Sequence, residues 1–156
     1  MTFKEALAHP WLTIRVQIAL GAIFVAAALP KIADPPSFAH MIYNYRILPG
    51  ALVNLSALVM PWVEILAGLA LIAGVWVKPA RWLIAAMLVV FIVAIGFNLW
   101  RGNAIDCGCF DLSAAAKTYE ERIYDMWVVI VRDIGMLLMC AQLAWAGRFA
   151  RKDAVE

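Results

Sequence analysis

An all-α bundle of four transmembrane helices is the fold this chain predicts, and three observations carry it. Of its 156 residues, 65% are hydrophobic and only 15% charged, against about 25% charged in a typical soluble domain. The apolar residues are gathered into blocks of spanning length rather than spread at the period of an amphipathic helix or strand. Polar and charged residues fall between those blocks. One integral membrane domain over residues 1–156, held in a lipid bilayer, follows. The net charge of +2 is too small to argue for a nucleic-acid partner.

The first span runs from about Trp11 to Leu29. Lys4, Arg15 and the Ala26-Ala27-Ala28 run also imitate a cleavable signal peptide, but a retained helix is expected. The connection from Pro30 to Pro49 holds Asp34-Pro35-Pro36 and Tyr43-Asn44-Tyr45. It is aromatic enough to lie at the membrane interface. The second span, about Gly50 to Val77, contains Pro61 and should tilt or kink there. A tight connection around Lys78-Pro79 leads to the third span, about Ala80 to Trp100. The fourth runs from about Asp125 to Ala146. Each holds the ~18–20 apolar-dominated residues that cross ~30 Å of hydrocarbon. Ala22-x-x-x-Ala26 and Ala70-x-x-x-Gly74 are spaced for close helix contacts. Trp62, Trp76, Trp82, Trp100 and Trp127 mostly fall towards span ends, as an interfacial belt does.

Basic residues set the expected orientation. The N-terminus, second connection and C-terminus carry seven: Lys4, Arg15, Lys78, Arg81, Arg148, Arg151 and Lys152. The opposite connections carry five: Lys31, Arg46, Arg101, Lys117 and Arg122, diluted by six acids. Both termini are therefore expected in the cytoplasm. The third connection then faces the periplasm or outside, where disulfides persist.

That connection holds the sequence's chief chemical signal, Cys107-Gly108-Cys109, within Arg101-Gly-Asn-Ala-Ile-Asp-Cys-Gly-Cys-Phe-Asp111. Two thiols one residue apart can close a small disulfide ring, and Gly108 has no Cβ to oppose the backbone angles required. A strained, exposed disulfide is easily reduced, which suits thiol–disulfide exchange. A soft-metal half-site for copper or mercury and an inert bridge are the alternatives, and residue chemistry leaves all three open. No second Cys pair or Cys/His cluster completes a tetrahedral zinc site. His9 lies on the wrong side, and His40 reaches the thiols only by folding back. Arg101 favours a thiolate, whereas Asp106 and Asp111 oppose one. Cys140, deep in the fourth span, reads as a small buried hydrophobe.

Glu64, Arg132 and Asp133 are ionisable groups inside spans. Such groups are costly in hydrocarbon, so they face the bundle and pair. A Glu64–Arg132 bridge is expected, with Asp133 meeting Asn98 or Arg101. It serves either to fix helix register or as a proton- or electron-coupled site beneath the thiols.

Several stretches together resemble the MauE-type proteins within the DoxX-like group of small four-helix membrane proteins. They are Leu29-Pro30-Lys31-Ile32-Ala33-Asp34-Pro35, Phe38, Tyr45-Arg46-Ile47-Leu48-Pro49, Met60-Pro61-Trp62-Val63-Glu64, Gly68, Gly74, Asn98 to Phe110, and Arg132-Asp133. The resemblance covers roughly residues 11 to 146. It implies a role in methylamine utilisation, in maturing the disulfide-rich small subunit of periplasmic methylamine dehydrogenase beside a thioredoxin-like partner. It also implies that Cys107 and Cys109 form the redox pair, and that Glu64 belongs to a Pro-Trp-x-Glu signature. The family run often continues Cys-Gly-Cys-Phe-Gly, whereas here Asp111 follows Phe110, so a different turn after the thiols is expected, which bears on the partner more than on the fold. More distant DoxX-like relatives suggest a quinone as cofactor. The expected location is the bacterial inner membrane.

Overall fold

The computed structural model describes residues 7–105 and 117–153, with side chains in the second stretch as far as Phe149. Within them lie five α-helices and no strand. They are α1 (Pro10–Ala33), α2 (Pro35–Asn44), α3 (Gly50–Ala73), α4 (Val77–Trp100) and α5 (Tyr119–Asp153). All but α2 are long and apolar enough to cross a bilayer. Leu66, Val93, Val131 and Leu138 are each about two-thirds exposed, at 64, 64, 67 and 67%. A surface that shows its large aliphatic residues is built for lipid rather than water. The protein is a multi-pass membrane protein.

Each boundary has a local cause. α1 opens with Pro10 in its first turn and the His9 imidazole accepting from the Trp11 N–H at 3.3 Å. It ends at Asp34, which also caps α2. The Asp34 carboxylate accepts from the Ser37 N–H at 3.2 Å and the Ser37 hydroxyl at 2.6 Å, and these bonds hold its pKa below the ordinary aspartate value. The first connection thus folds into a short helix, packed mainly on α3.

α3 runs unbroken through buried Pro61 and stops at Ala73, four residues before the expected end. Gly74, at φ 71°, terminates it in the left-handed conformation, and the Val75 N–H reaches back to the Ala70 carbonyl at 3.0 Å. The tight connection is accordingly Gly74–Trp76, and Lys78-Pro79 form the first turn of α4. α5 begins at Tyr119, six residues earlier than its apolar run, because Glu120 and Glu121 suit a helix N-terminus.

α1 and α3 form the closest pair. A Cβ added at Gly21 would stand 2.6 Å from the Gly68 carbonyl oxygen, and one at Gly68 2.7 Å from that of Gly21. This glycine pair allows backbone-to-backbone contact. The expected small-residue faces do not: Ala22 and Ala26 are exposed, and Gly74 serves as the cap. Leu20, Phe24, Leu71, Ile84, Leu88 and Met136 make the main core, and Ile95, Ile105, Met126 and Ile130 a second cluster at one end.

Candidate functional site

One lysine–carboxylate pair and one arginine–carboxylate pair meet inside the helix bundle. Lys31 and Glu64 are 4 and 2% exposed, and the Lys31 ammonium donates to both Glu64 oxygens, at 2.7 and 2.8 Å. The ammonium also lies 5.1 Å from the Phe38 ring centroid and 5.5 Å from that of Phe91. On α5, Arg132 donates from Nε and Nη2 to Asp133 Oδ1, at 3.0 and 2.7 Å. Lys31, Glu64, Arg132 and Asp133 line one small cavity of about 30 Å³. Two cations and two anions therefore balance across three helices.

This corrects the expected pairing. Glu64 binds Lys31 rather than Arg132, and Asp133 binds Arg132 rather than Asn98 or Arg101. The cause lies at Pro30. Proline and the following Lys31 read as the start of a connection, yet α1 continues to Ala33. The Lys31 side chain then reaches towards the helix's own N-terminus, as helical side chains do, and meets Glu64. Arg81, also counted with the connections, is buried and donates from Nη1 to the Leu143 carbonyl at 3.1 Å. Without these two, six basic residues stand against four, and the charge bias keeps its direction.

Beside Lys31 opens a cavity of about 140 Å³ between α2, α3 and α4, walled by Phe38, Met41, Tyr45, Leu48, Met60 and Phe91. Its lining is almost wholly apolar, and Lys31 is the cation at its margin. An ammonium has three N–H donors; Glu64 takes two of them. The geometry suits a flat apolar molecule that carries a hydrogen-bond acceptor.

The same end of the bundle anchors the cysteine connection. The Tyr119 hydroxyl donates to the Gly102 carbonyl at 3.2 Å, tying the start of α5 to the end of α4. Ile105 is buried among Ile95, Met126 and Ile130. Asn98 is fully buried; its Nδ2 donates to the carbonyls of Tyr45 and Ala94 at 3.2 and 2.9 Å, and its Oδ1 accepts from Asn103. Cys107, Gly108 and Cys109 themselves lie outside the described residues. Arg101 caps α4 with its guanidinium 5.2 Å from the Phe97 ring centroid. Cys140 is buried in the main core. It stands 21 residues past Tyr119, ~32 Å along α5 at 1.5 Å per residue, towards the opposite end. Among the described residues no three His, Cys, Asp or Glu gather as metal ligands.

Lys31 is the functional candidate that sequence reasoning missed. The signal was present: a lysine three residues after an alanine run and directly after proline, in a chain whose mid-span glutamate needs a cation.

Comparison with known proteins gives one consistent result. Residues 9–146 match the family model described as methylamine utilisation protein MauE. The chain is 38% identical over 141 residues to the methylamine utilization protein MauE of Paracoccus denitrificans, covering 90% of this chain and 72% of that one. It is 34% identical over 140 residues to the protein of the same description from Methylorubrum extorquens, covering 89% and 72%. No solved structure matches the chain.

Proposed function

The chain belongs to the MauE family, and on that premise we propose that it serves methylamine utilisation as a membrane redox protein, exchanging thiols and disulfides at Cys107-Gly108-Cys109. The observation that carries this reading is a Cys-Gly-Cys run in a polar segment whose flanks, Gly102–Ile105 and Tyr119, are pinned to one end of a four-span bundle. Those flanks lead into and out of the cysteine segment at the same end of the bundle.

The exchange needs only the pair and a partner disulfide. One thiolate attacks a partner sulfur, forming a mixed disulfide and releasing the partner's other sulfur as a thiolate. The second cysteine of the pair attacks the first and releases the remaining partner thiolate. Two electrons pass to the partner, and a Cys107–Cys109 disulfide remains; the reverse reaction uses the same bonds. Gly108 lets the backbone turn between the two sulfurs. In this reading the protein sits in the bacterial inner membrane with both termini cytoplasmic. The cysteine segment faces the periplasm, where a thioredoxin-like protein and its disulfide-bonded client meet it. Arg101, at the end of α4, favours the thiolate, while Glu64, Lys31, Arg132 and Asp133 fix the helices beneath.

A soft-metal carrier is the weaker reading. It needs a third donor, and Cys140 lies far along α5 in the core. An added quinone-coupled step is favoured by the cavity beside Lys31, whose aromatic walls and spare N–H fit a quinone ring and carbonyl. A bound quinone would supply a two-electron, two-proton acceptor for the reduced pair.

The test is the redox state of Cys107 and Cys109 in native membranes, read by alkylation mass shift across a thiol/disulfide buffer series. A reversible two-electron transition within the range of periplasmic thiol couples is expected. A pair that never changes state, or thiols shielded only when metal is added, would overturn the exchange reading.

A further inference from the structure

A third cavity lies at the end of the bundle opposite Gly102 and Tyr119, apart from the Lys31–Glu64 and Arg132–Asp133 pairs. It opens between the first turns of α4 and the last turns of α5, with a volume of about 400 Å³. Its walls change character along the helices. Ala85, Leu137, Cys140 and Ala141 line an apolar stretch, whereas Arg81, Trp82, Trp145 and Arg148 line the part nearer the start of α4 and the end of α5. Arg81 is 9% exposed, although it carries a permanent charge. Its Nη1 binds the Leu143 carbonyl at 3.1 Å, and its guanidinium lies 5.9 Å from the Trp82 ring centroid. Neither Arg81 nor Arg148 has a carboxylate partner among the described residues. Both arginines line this one cavity.

A buried cation without a carboxylate favours a bound anion, and the exposed Arg148 on the same cavity adds a second charge for it. Arginine forks match phosphate oxygens, two N–H groups to two acceptors. The depth settles the source of that phosphate. Arg81 is four residues into α4, ~6 Å from its start at 1.5 Å per residue; its bond to the Leu143 carbonyl sets that part of α5 level with it, and Arg148 follows two residues after Ala146, where the apolar run of α5 gives way to basic residues. Both therefore stand at headgroup level, between two indoles of the kind that line membrane interfaces. The apolar wall below them has no use for a free inorganic ion but would receive the glycerol ester and upper acyl chain of a lipid. We propose that this cleft is a binding site for an anionic phospholipid, its phosphodiester held between Arg81 and Arg148 and its chains laid against Ala85 and Ala141. The lipid bridges α4 and α5 where their facing walls leave a gap.

The full-length protein in neutral detergent is titrated with phosphatidylglycerol or phosphatidylcholine in mixed micelles, and separately with inorganic phosphate. Bound lipid is counted by native mass spectrometry, and melting temperature is followed alongside. Phosphatidylglycerol is expected to bind in preference and to raise the melting temperature more than phosphatidylcholine. Arg148→Gln, an exposed change with little demand on folding, should weaken that binding about fivefold, the worth of one surface arginine at a lipid phosphate. Arg81→Gln should do the same where it folds. Lys78→Gln removes an equal charge from the exposed first turn of α4, outside the cleft, and should leave the affinity unchanged. Equal binding of the two lipids, an equal loss with Lys78→Gln, or a melting shift reproduced by inorganic phosphate alone would each overturn the proposal.

Discussion

At the scale of single residues, the Lys31–Glu64 pair concentrates the cost and the specificity of this bundle. Two opposite charges, almost fully enclosed, lose their hydration, and their mutual attraction compensates only while both are present. Lys31→Met alone leaves Glu64 without its cation, and Glu64→Leu alone leaves Lys31 between two aromatic rings. Each single change is expected to destabilise the protein by about 3–5 kcal/mol. The double change Lys31→Met/Glu64→Leu should recover most of that loss, since apolar replacement of a buried pair is often neutral or better. Unfolding of all four forms in mixed detergent micelles checks this. A loss in the double variant equal to the sum of the two single losses would mean that the pair is not coupled. The sequence made half of this arrangement legible. A glutamate in a run of apolar residues announces that a cation must be near, but it carries no information about which helix supplies it. Arg132 was the cation inside a predicted span, whereas Lys31 was hidden by the proline before it.

At the scale of elements, the spans were readable because bilayer crossing needs length and apolarity, which composition records directly. Their faces were not. In lipid, buried and exposed faces are both apolar, so the hydrophobic pattern that orients a helix in a soluble protein carries little signal. Small residues are then the main clue, and this chain has many. Ala22 and Ala26 form a spaced pair yet look outward, whereas Gly21 and Gly68, on different helices, make the contact. A methyl group at Gly68 would collide with carbonyl backbone, which cannot swing aside as a side chain can. Gly68→Ala should therefore push α1 from α3 and cost about 1–3 kcal/mol, the usual range for overpacking. Ala22→Leu, on the lipid-facing side, should cost little. Comparing the melting temperatures of the two variants in one detergent decides the matter, and an equal effect would reject the glycine contact as the seam.

At the scale of the whole molecule, the two ends of the bundle differ in chemistry. One end holds the flanks of the cysteine segment through Tyr119, Ile105 and Asn98 and opens the aromatic cavity beside Lys31. Phe91, which borders both Lys31 and that cavity, is nine residues before Trp100, so the cavity lies ~14 Å below the end of α4 by helical rise. A lipid-soluble electron acceptor could enter there from the bilayer, whereas a soluble thiol protein would approach the surface above. If the two are coupled, the charged pair has a part beyond holding helices. The stable double variant Lys31→Met/Glu64→Leu separates those roles, because it retains packing but removes the spare N–H and the carboxylate. Membranes carrying it are reduced, freed of reductant, and supplied with a short-chain quinone under anaerobic conditions. The alkylation state of Cys107 and Cys109 is then followed in time. The parent protein should return to the disulfide, with two electrons and two protons passing to form one quinol per pair. The variant should do so at least tenfold more slowly, the effect of about 1.4 kcal/mol lost from the barrier-lowering contacts. Equal rates would confine Lys31 and Glu64 to holding the helices and leave direct exchange with a thiol partner as the route by which the pair is reset.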